Sequence, residues 1–257
     1  MACYQLTLAY DGTDFYGSQR QTKRRTVQGE LEKALHAVGW KERSILLSGR
    51  TDTGVHATGQ VASVSIDWSH ADADLVRALN AKLPTDVAVQ HARIVRDDFH
   101  PRFDALSRTY RYRLFCQPVR NPIRERFAWR VPTELHGKSL MKTAGVFLGT
   151  HDFSAFGSPT TPAGTTTRTM MKADWTQTAA DEWQIEVEAD AFLYRMVRRL
   201  VLVQVAVAQG KVSVEAVAQS LAKPGSGTKR SVLPSGLAPA HGLTLVEVKY
   251  GESIQLE

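Results

Sequence analysis

The fold of this chain is constrained most by the order in which two hydrophobic periodicities follow one another. Apolar residues alternate with polar ones over residues 4–10, 61–66 and 87–95, which is typical of half-buried strands. Apolar residues recur at helical spacing over 27–38, with Thr26 as a candidate N-cap, and over 75–83, which Pro84 closes. A short apolar run at 45–47 adds one more strand. The first part of the chain is therefore predicted to run β-α-β-β-α-β.

The second part of the chain repeats this order with different residues. Its predicted elements are a strand at 109–115, a helix at 140–148, a strand pair at 166–176 and 183–188, helices at 193–208 and 214–221, and a strand at 243–248. An irregular segment at 97–106 separates the two parts, which gives an N-terminal α+β domain over 1–100 and a C-terminal one over 101–257. We predict an α+β fold of two ferredoxin-like or RRM-like halves with antiparallel sheets and a central cleft.

A polar, glycine-rich stretch lies between two predicted strands of the first part. Residues 48–59 read Ser-Gly-Arg-Thr-Asp-Thr-Gly-Val-His-Ala-Thr-Gly, with a guanidinium at Arg50, a carboxylate at Asp52 and an imidazole at His56. Rigid scaffolds commonly present reactive groups on such loops. Arg50 would favour the ionised form of Asp52, which suits a nucleophile or an electrostatic stabiliser and argues against a general acid. The alternative is an Asx-type turn in which Asp52 does no chemistry.

Three known kinds of site share part of this pattern, but the chain lacks an essential component of each. Gly49 and Gly54 have phosphate-loop spacing, but Val55-His56 replaces the required Lys-Ser/Thr pair. The tripeptide at 52–54 is that of aspartic proteases, whose chemistry needs two carboxylates, and only a dimer of this chain could supply the second. Glycoside hydrolysis also needs two facing carboxylates, and this loop offers one.

Charge is the compositional feature that narrows the class of partner. The 32 basic and 26 acidic residues give a net charge of +6 and a pI near 9.4, which indicates a moderate preference for polyanions. Seven arginines fall within 108–130, where Glu125 is the only acid and aromatic residues are interleaved, a combination suited to RNA phosphates and bases. The alternative for each cluster is a solvated face. The other clusters are Lys23, Arg24 and Arg25, and Arg195, Arg198 and Arg199 on the predicted long helix.

Several other classes of protein are disfavoured by the sequence. Cys3 and Cys116 cannot make a disulfide framework, which indicates a reducing compartment. The first residues lack the basic region and apolar core of a signal peptide, and the apolar run at 200–208 is too short to span a bilayer. The eight histidines lack zinc-site spacing. We therefore predict a cytoplasmic protein without a metal and without a membrane segment.

The glycine-rich stretch and five other blocks resemble the tRNA pseudouridine synthase A (TruA) family. The matching residues are Gly49 to Ala57; Tyr10-Asp11-Gly12-Thr13 with Phe15, Gly17, Gln19 and Gln21; Arg102 to Ala105 with Ser107 to Tyr112; Gly149 to Phe153 with Phe156; Ala191-Phe192-Leu193 with Met196-Val197-Arg198; and Ala238 to Leu243. Two positions depart from the family pattern. Ser18 stands where the family commonly has Trp, and Asp190 stands where Asn or Gly is usual.

The resemblance implies isomerisation of uridine to pseudouridine at positions 38, 39 and 40 of the tRNA anticodon stem-loop, with no cofactor, nucleotide or metal. Asp52 would attack the ribose C1′ or the uracil C6, or assist a glycal route. Arg198 would pair with Asp52, Tyr110 would stack on the extruded base and help remove the C5 proton, and Arg50 would help displace that base. From pattern alone, a solvent-facing arginine and a core tyrosine are the alternatives for residues 198 and 110.

The resemblance also implies a homodimer in which one tRNA contacts both subunits within the RNA-binding cleft. The expected substrate and RNA contacts are Tyr110, Arg50, His56, Lys23, Arg24, Arg25, Arg108, Arg124 and Arg126. Two other functions use the same residues differently. A catalytically silent RNA-binding protein would keep the basic surface, and a dimeric aspartic peptidase would use the 52–54 tripeptide, although Arg50 and the basic clusters disfavour it.

Overall fold

The computed structural model describes residues 1–161, 163–222 and 233–254. These residues form ten strands and five α-helices. In chain order they are β1 Ala2–Tyr10, α1 Val27–Ala37, β2 Leu46–Leu47, β3 His56–Ile66, α2 Asp72–Asn80, β4 Val87–Val95, β5 Ala105–Cys116, β6 Trp129–Val131, α3 Gly137–Val146, β7 Gly149–Asp152, β8 Thr167–Ala179, β9 Glu182–Ala189, α4 Met196–Ala208, α5 Val214–Ala222 and β10 Leu243–Tyr250. The predicted α+β class is confirmed.

The chain divides into two compact units. One is Met1–Arg108 together with the residues from Thr244 onward, and the other is Thr109–Leu243. The sequence placed the boundary at residue 100 and gave the last strand to the second half. In the structure the division falls within β5, and β10 groups with the first unit because it pairs with β3.

The sheet of the first unit has β1 at its centre. β4 and β3 flank β1 in antiparallel pairing, and β2 pairs antiparallel with β3. On β3 the C-terminal strand β10 adds a short parallel contact, in which Thr244 lies opposite His56 and Leu245 opposite Ala57. Because β3 has neighbours along both edges and is buried at most positions, it is a stable base for the residues that precede it.

Two helices complete the first unit. The Thr26 side chain accepts a hydrogen bond from the Gly29 N–H at 3.2 Å, so the predicted N-cap of α1 is confirmed. Of the residues at helical spacing, α1 buries Val27, Leu31, Ala34 and Leu35, its C-cap Val38 is half-buried, and α2 buries Leu75 and Leu79. The hydrophobic spacing therefore identified the apolar part of each buried face.

The second unit contains a sheet ordered β5-β9-β8-β7, with β6 parallel to β5. β8 and β9 form the antiparallel pair that the sequence predicted. The long helix α4 begins at Met196 rather than at residue 193, because Arg195 has a left-handed φ of 63° that a helix cannot include. At 13 residues α4 is the longest described helix, and none of the described helices has the length and hydropathy needed to cross a bilayer.

Candidate active site

The loop that carries Asp52 spans residues 48–55 and joins β2 to β3. The strand begins at His56, so the sequence-based loop was four residues too long at its C-terminal end. Its tip is a turn in which the Val55 N–H donates to the Asp52 carbonyl oxygen at 3.1 Å. Gly54, the third residue of that turn, has a φ of +78°, which glycine adopts without steric cost. The turn exposes Thr53 and leaves Asp52 half-buried.

The residue before Asp52 is fixed on both sides. The Thr51 N–H donates to Ser18 Oγ at 2.9 Å, and the Ser18 N–H donates to the Thr51 carbonyl oxygen at 3.1 Å. Ser18 is completely buried. The Thr51 hydroxyl also lies 2.8 Å from the Tyr10 hydroxyl on β1. Since Thr51 is held through its backbone and its side chain, the backbone that enters Asp52 has little freedom.

The start of the loop rests on a second buried contact. Ser48 donates from its N–H to the Val61 carbonyl oxygen at 2.8 Å and from its hydroxyl to Gln60 Oε1 at 2.7 Å. The Gln60 amide in turn donates to the Gly49 carbonyl oxygen at 3.0 Å and lies 3.4 Å from the Tyr10 hydroxyl. Burial raises the pKa of Tyr10 to about 12, so this hydroxyl stays protonated at neutral pH. The loop is therefore supported by neutral polar groups of β1 and β3.

His56 lies beneath the loop rather than on its surface. It is buried, and its Nδ1 accepts from the Gly12 N–H at 2.9 Å and lies 3.1 Å from Asp11 Oδ1. These contacts hold the segment at 11–12 against β3. This geometry favours a structural role for His56 over the RNA contact that was predicted for it. Arg50, by contrast, is exposed at the rim of the loop.

The candidate residues of the second unit are held by the segment at 238–242. The Arg198 guanidinium donates through Nε to the Ala238 carbonyl oxygen at 2.8 Å, and the Ala238 N–H donates to the Arg198 carbonyl oxygen at 3.1 Å. The buried Tyr112 donates to the Pro239 carbonyl oxygen at 2.8 Å. Burial raises the pKa of Tyr112, and the charge of Arg198 partly opposes that shift. The block at 238–242 thus orients the first turn of α4.

Tyr110 on β5 is half-buried and meets the ring of Phe192 edge to face, with centroids 5.1 Å apart and planes at 85°. Phe192 follows Asp190, which accepts from the N–H groups of Thr169 at 3.1 Å and Ala191 at 2.6 Å. The negative charge that departs from the family pattern therefore fixes the backbone at the end of β9. Asp52 and Arg50 belong to the first unit, and Tyr110 and Arg198 belong to the second.

Several arginines of the 108–130 cluster, including the predicted RNA contact Arg124, are paired with acids inside their own unit. Arg124 donates to Asp181 at 2.7 Å and to Glu182 at 3.1 Å, and its guanidinium lies over Phe115. The further pairs within β5 and β9 are Arg111 with Glu186 and Arg113 with Glu182, each at 2.7 Å. The acids lie more than 50 residues further along the chain, so the local excess of arginine in 108–130 overstated the free positive charge.

The cluster at 23–25 also contains one arginine that is paired with an acid, and its other two cations are exposed. Arg25 makes a two-pronged contact with Asp86 at 2.6 and 2.8 Å and stacks on Phe15, which indicates a structural role. Lys23 and Arg24 are exposed, and the Arg24 guanidinium lies 4.4 Å from the centroid of the Tyr16 ring.

The remaining predicted contacts are Arg108 and Arg126. Arg108 donates to the carbonyl oxygens of Ala105 and Arg102, and Arg126 is exposed beside Phe127. Within the described ranges, no group of three or more His, Cys, Asp and Glu side chains is arranged to hold a metal ion.

The sequence did not identify the residues that support the Asp52 loop. Ser18 was noted only as a departure from the family pattern, and Gln60 entered only as the residue before the alternating segment at 61–66. The alternating pattern predicts that the Gln60 side chain faces the interior. A polar residue at such a position is the signal that could have identified Gln60 as a support of the loop. The partner of Ser18 lies 33 residues away, and no spacing rule predicts such a contact.

Known proteins provide an independent comparison. A family model described as tRNA pseudouridine synthase matches residues 7–104 and 144–251. The tRNA pseudouridine synthase A of Chloroflexus aurantiacus is 43% identical over 256 residues, covering 97% of this chain and 89% of the relative. The proteins of the same name from Roseiflexus castenholzii and Syntrophotalea carbinolica are 40% and 38% identical and cover 96% and 97% of this chain, and 90% and 97% of their own lengths.

Proposed function

Since this chain belongs to the tRNA pseudouridine synthase family, whose members are isomerases, we propose that it forms pseudouridine at positions 38, 39 and 40 of the tRNA anticodon stem-loop, with Asp52 as the nucleophile. The observation that carries the proposal is the Asp52 loop itself. A half-buried carboxylate follows a residue that is fixed by Ser18 and Tyr10, which is how a reactive group is held ready for attack.

The proposed reaction rearranges bonds within one nucleotide. The bond from ribose C1′ to uracil N1 breaks, the base turns within the site, and C5 bonds to C1′ as the C5 proton leaves and N1 gains a proton. An ionised Asp52 can act by attack on C1′, by attack on C6, or by assisting a glycal intermediate. No electrons are gained or lost overall, so the reaction calls for no redox cofactor.

We assign three further residues to this reaction. Arg198 would keep Asp52 ionised, and its backbone and guanidinium contacts with Ala238 support a fixed orientation. Tyr110 would stack on the extruded base and assist loss of the C5 proton, and its edge contact with Phe192 supports a fixed ring plane. Arg50 would replace the extruded base, and its exposure at the loop rim supports contact with RNA.

The finer features of fold and assembly are part of the same proposal. The antiparallel order β4-β1-β3-β2 and the element order β-α-β-β-α-β of the first unit support a ferredoxin-like half. We propose a second such half, a cleft that binds RNA, a homodimer, and a cytoplasmic site of action where tRNA is present. Lys23, Arg24 and Arg126 are the exposed cations that would contact tRNA phosphates.

Tritium release from C5-labelled uridine in tRNA tests the proposal. The wild-type enzyme should release tritium, and Asp52→Asn should lower the rate by at least ~10³-fold, the order expected for loss of a nucleophile. The control is Asp97→Asn, an exposed carboxylate that should behave as wild type. A chelator should leave the wild-type rate unchanged.

The outcomes separate the alternatives. Release that survives Asp52→Asn would remove Asp52 from the reaction. No release by the wild-type protein, with tRNA binding retained, would favour the catalytically silent RNA-binding protein. Cleavage of peptide substrates in place of release would favour the peptidase.

A further inference from the structure

An exposed aromatic side chain stands on an ordered loop of the first unit. The Phe103 loop, which we define as residues 98–104, precedes β5 and presents a ring that is 74% exposed. Large aromatic side chains are usually buried, so an exposed ring is informative where its backbone is held in place. The chemistry proposed above does not use this ring.

Phe103 forms a short stack with cationic and imidazole neighbours. The His100 ring lies 4.2 Å from the Phe103 ring, centroid to centroid, with the planes 30° apart. The Arg102 guanidinium lies 5.8 Å from the Phe103 centroid. The loop therefore presents two flat rings in contact, tilted by 30°, beside a positive charge.

The loop is held by its own hydrogen bonds. His100 Nδ1 lies within reach of the N–H groups of Arg102 and Phe103 at 3.2 and 3.3 Å. Asp104 accepts from the His100 N–H at 2.9 Å and pairs with Arg96 at 2.6 Å. Because these contacts fix the backbone on both sides of Phe103, little conformational entropy is lost when a ligand meets the ring.

Tyr250 on β10 also supports this loop within the first unit. Its hydroxyl donates to the Pro101 carbonyl oxygen at 2.6 Å. The Tyr250 ring meets the buried Phe99 at 5.2 Å. Burial holds the pKa of Tyr250 well above its ordinary value. A neutral tyrosine therefore fixes the Phe103 loop from a neighbouring strand.

We propose that Phe103, stacked on His100, is a binding platform for an unpaired nucleobase of the RNA that this enzyme modifies. This inference rests on the proposed function for the identity of the RNA. Every base has a flat π face, so a ring platform binds bases without a sequence requirement. Arg102 at its side suits the phosphates that accompany a base, and a net charge of +6 favours a polyanion over an uncharged apolar partner. A second copy of this chain is the alternative occupant.

Equilibrium binding of an anticodon stem-loop RNA tests the platform. Phe103→Ala should raise the Kd by about 5- to 150-fold, the range that loss of one base–aromatic stack produces. Phe103→Tyr keeps the ring and should restore a Kd near the wild-type value. The matched control is Leu106→Ala, since Leu106 is 60% exposed only three residues away and should bind as wild type. Because Phe103 is exposed, its variants should unfold at the wild-type urea concentration.

Abasic substitution identifies the base. At one loop position of the RNA, removal of the base should weaken binding to the wild-type protein and have no further effect on Phe103→Ala. This non-additivity is the mark of a direct contact. Equal losses for both proteins at every position would overturn the platform.

Two further results would overturn the proposal that Phe103 binds a nucleobase. A wild-type Kd for Phe103→Ala, in a preparation whose parent releases tritium, would overturn this inference and leave the proposed function intact. A fall in the mass of the wild-type oligomer with Phe103→Ala, seen by light scattering without RNA, would assign the ring to contact between copies instead. Failure of the wild-type protein to release tritium would refute the proposed function, while the binding series still tests the platform.

Discussion

At the scale of single residues, Ser18 shows how a departure from a family pattern can be compensated locally. A large ring at this position could fill space but could not accept the Thr51 N–H as the serine hydroxyl does. Ser18 is fully buried, so its hydroxyl is a specific contact rather than a solvated group. The adjacent Gly17 has a φ of +84°, and a Cβ there would lie 2.7 Å from the Thr51 carbonyl oxygen. Both residues act on the backbone that enters Asp52.

This close approach predicts the effect of Gly17→Ala. The substitution incurs about 1–2 kcal/mol of left-handed backbone strain and also pushes Thr51 away, so both stability and the rate of tritium release should fall. Gly39→Ala is the matched control, because Gly39 has a φ of +98° and nothing within 4 Å of the added Cβ. It should lose the strain energy alone and keep the wild-type rate. Urea unfolding and tritium release measure the two effects, and equal rates for the two variants would contradict the argument.

At the scale of elements, β5 and β9 are joined by ion pairs as well as by the sheet. Hydrogen bonds from Lys172 and Arg111 lower the pKa of Glu186 below its ordinary value. A hydrogen bond from Arg124 lowers the pKa of Asp181 in the same direction. A carboxylate whose pKa is lower in the folded state stabilises that state above the pKa of the unfolded chain. The contribution is lost as the pH falls through the folded-state pKa.

The lowered pKa of Glu186 predicts how the stability of Glu186→Gln, relative to wild type, depends on pH. The variant should be less stable than wild type at pH 7, where the wild-type carboxylate is ionised. The difference should shrink from about pH 4.3 downward, as Glu186 protonates. Urea midpoints from pH 7 to pH 3 measure it. Glu247→Gln, at an exposed position on β10, should give no such pH-dependent difference. A constant difference across this range would show that the lowered pKa of Glu186 does not contribute.

The same elements show what could be predicted from the sequence. Period-two and helical spacing identified the main strands and helices, because each pattern spans enough residues to repeat. β6 and β7 were missed since three or four residues cannot establish a period. The Gly49–Ala57 motif located the loop directly, and the role of Asp52 stays a prediction. The supporting contacts of Tyr10, Ser18 and Gln60, and the acids opposite Arg111 and Arg124, arise only when distant segments fold together.

At the scale of the whole molecule, net charge and available charge differ. The chain has an excess of six positive charges, but many arginines are used in internal pairs such as Arg124 with Asp181. Affinity for tRNA should therefore depend on the exposed cations rather than on the total. Counterion release makes such binding weaken linearly with salt on a logarithmic scale.

Two arginines among the predicted RNA contacts test this distinction. Arg24→Ala, at an exposed position, should weaken tRNA binding and reduce the slope of log K against log salt by about one, as expected for a lost phosphate contact. Arg124→Ala should leave the slope unchanged and lower the urea midpoint instead, because, among the described residues, Asp181 loses its cation and Glu182 keeps only Arg113. Fluorescence anisotropy over a series of salt concentrations measures the slopes. A salt-independent affinity of the wild-type protein would contradict the assignment of a polyanionic substrate.

The late arrival of β10 has a consequence for how the protein is made. Its pairing partners His56 and Ala57 are translated early, whereas the 135 residues of Thr109–Leu243 must be synthesised before Thr244. At ~5–20 residues per second this takes roughly 7 to 27 s, during which that edge of β3 lacks its final strand. Over this interval the nascent first unit carries its Asp52 loop on a strand whose second edge is still open, and the later pairing of Thr244 and Leu245 covers that edge.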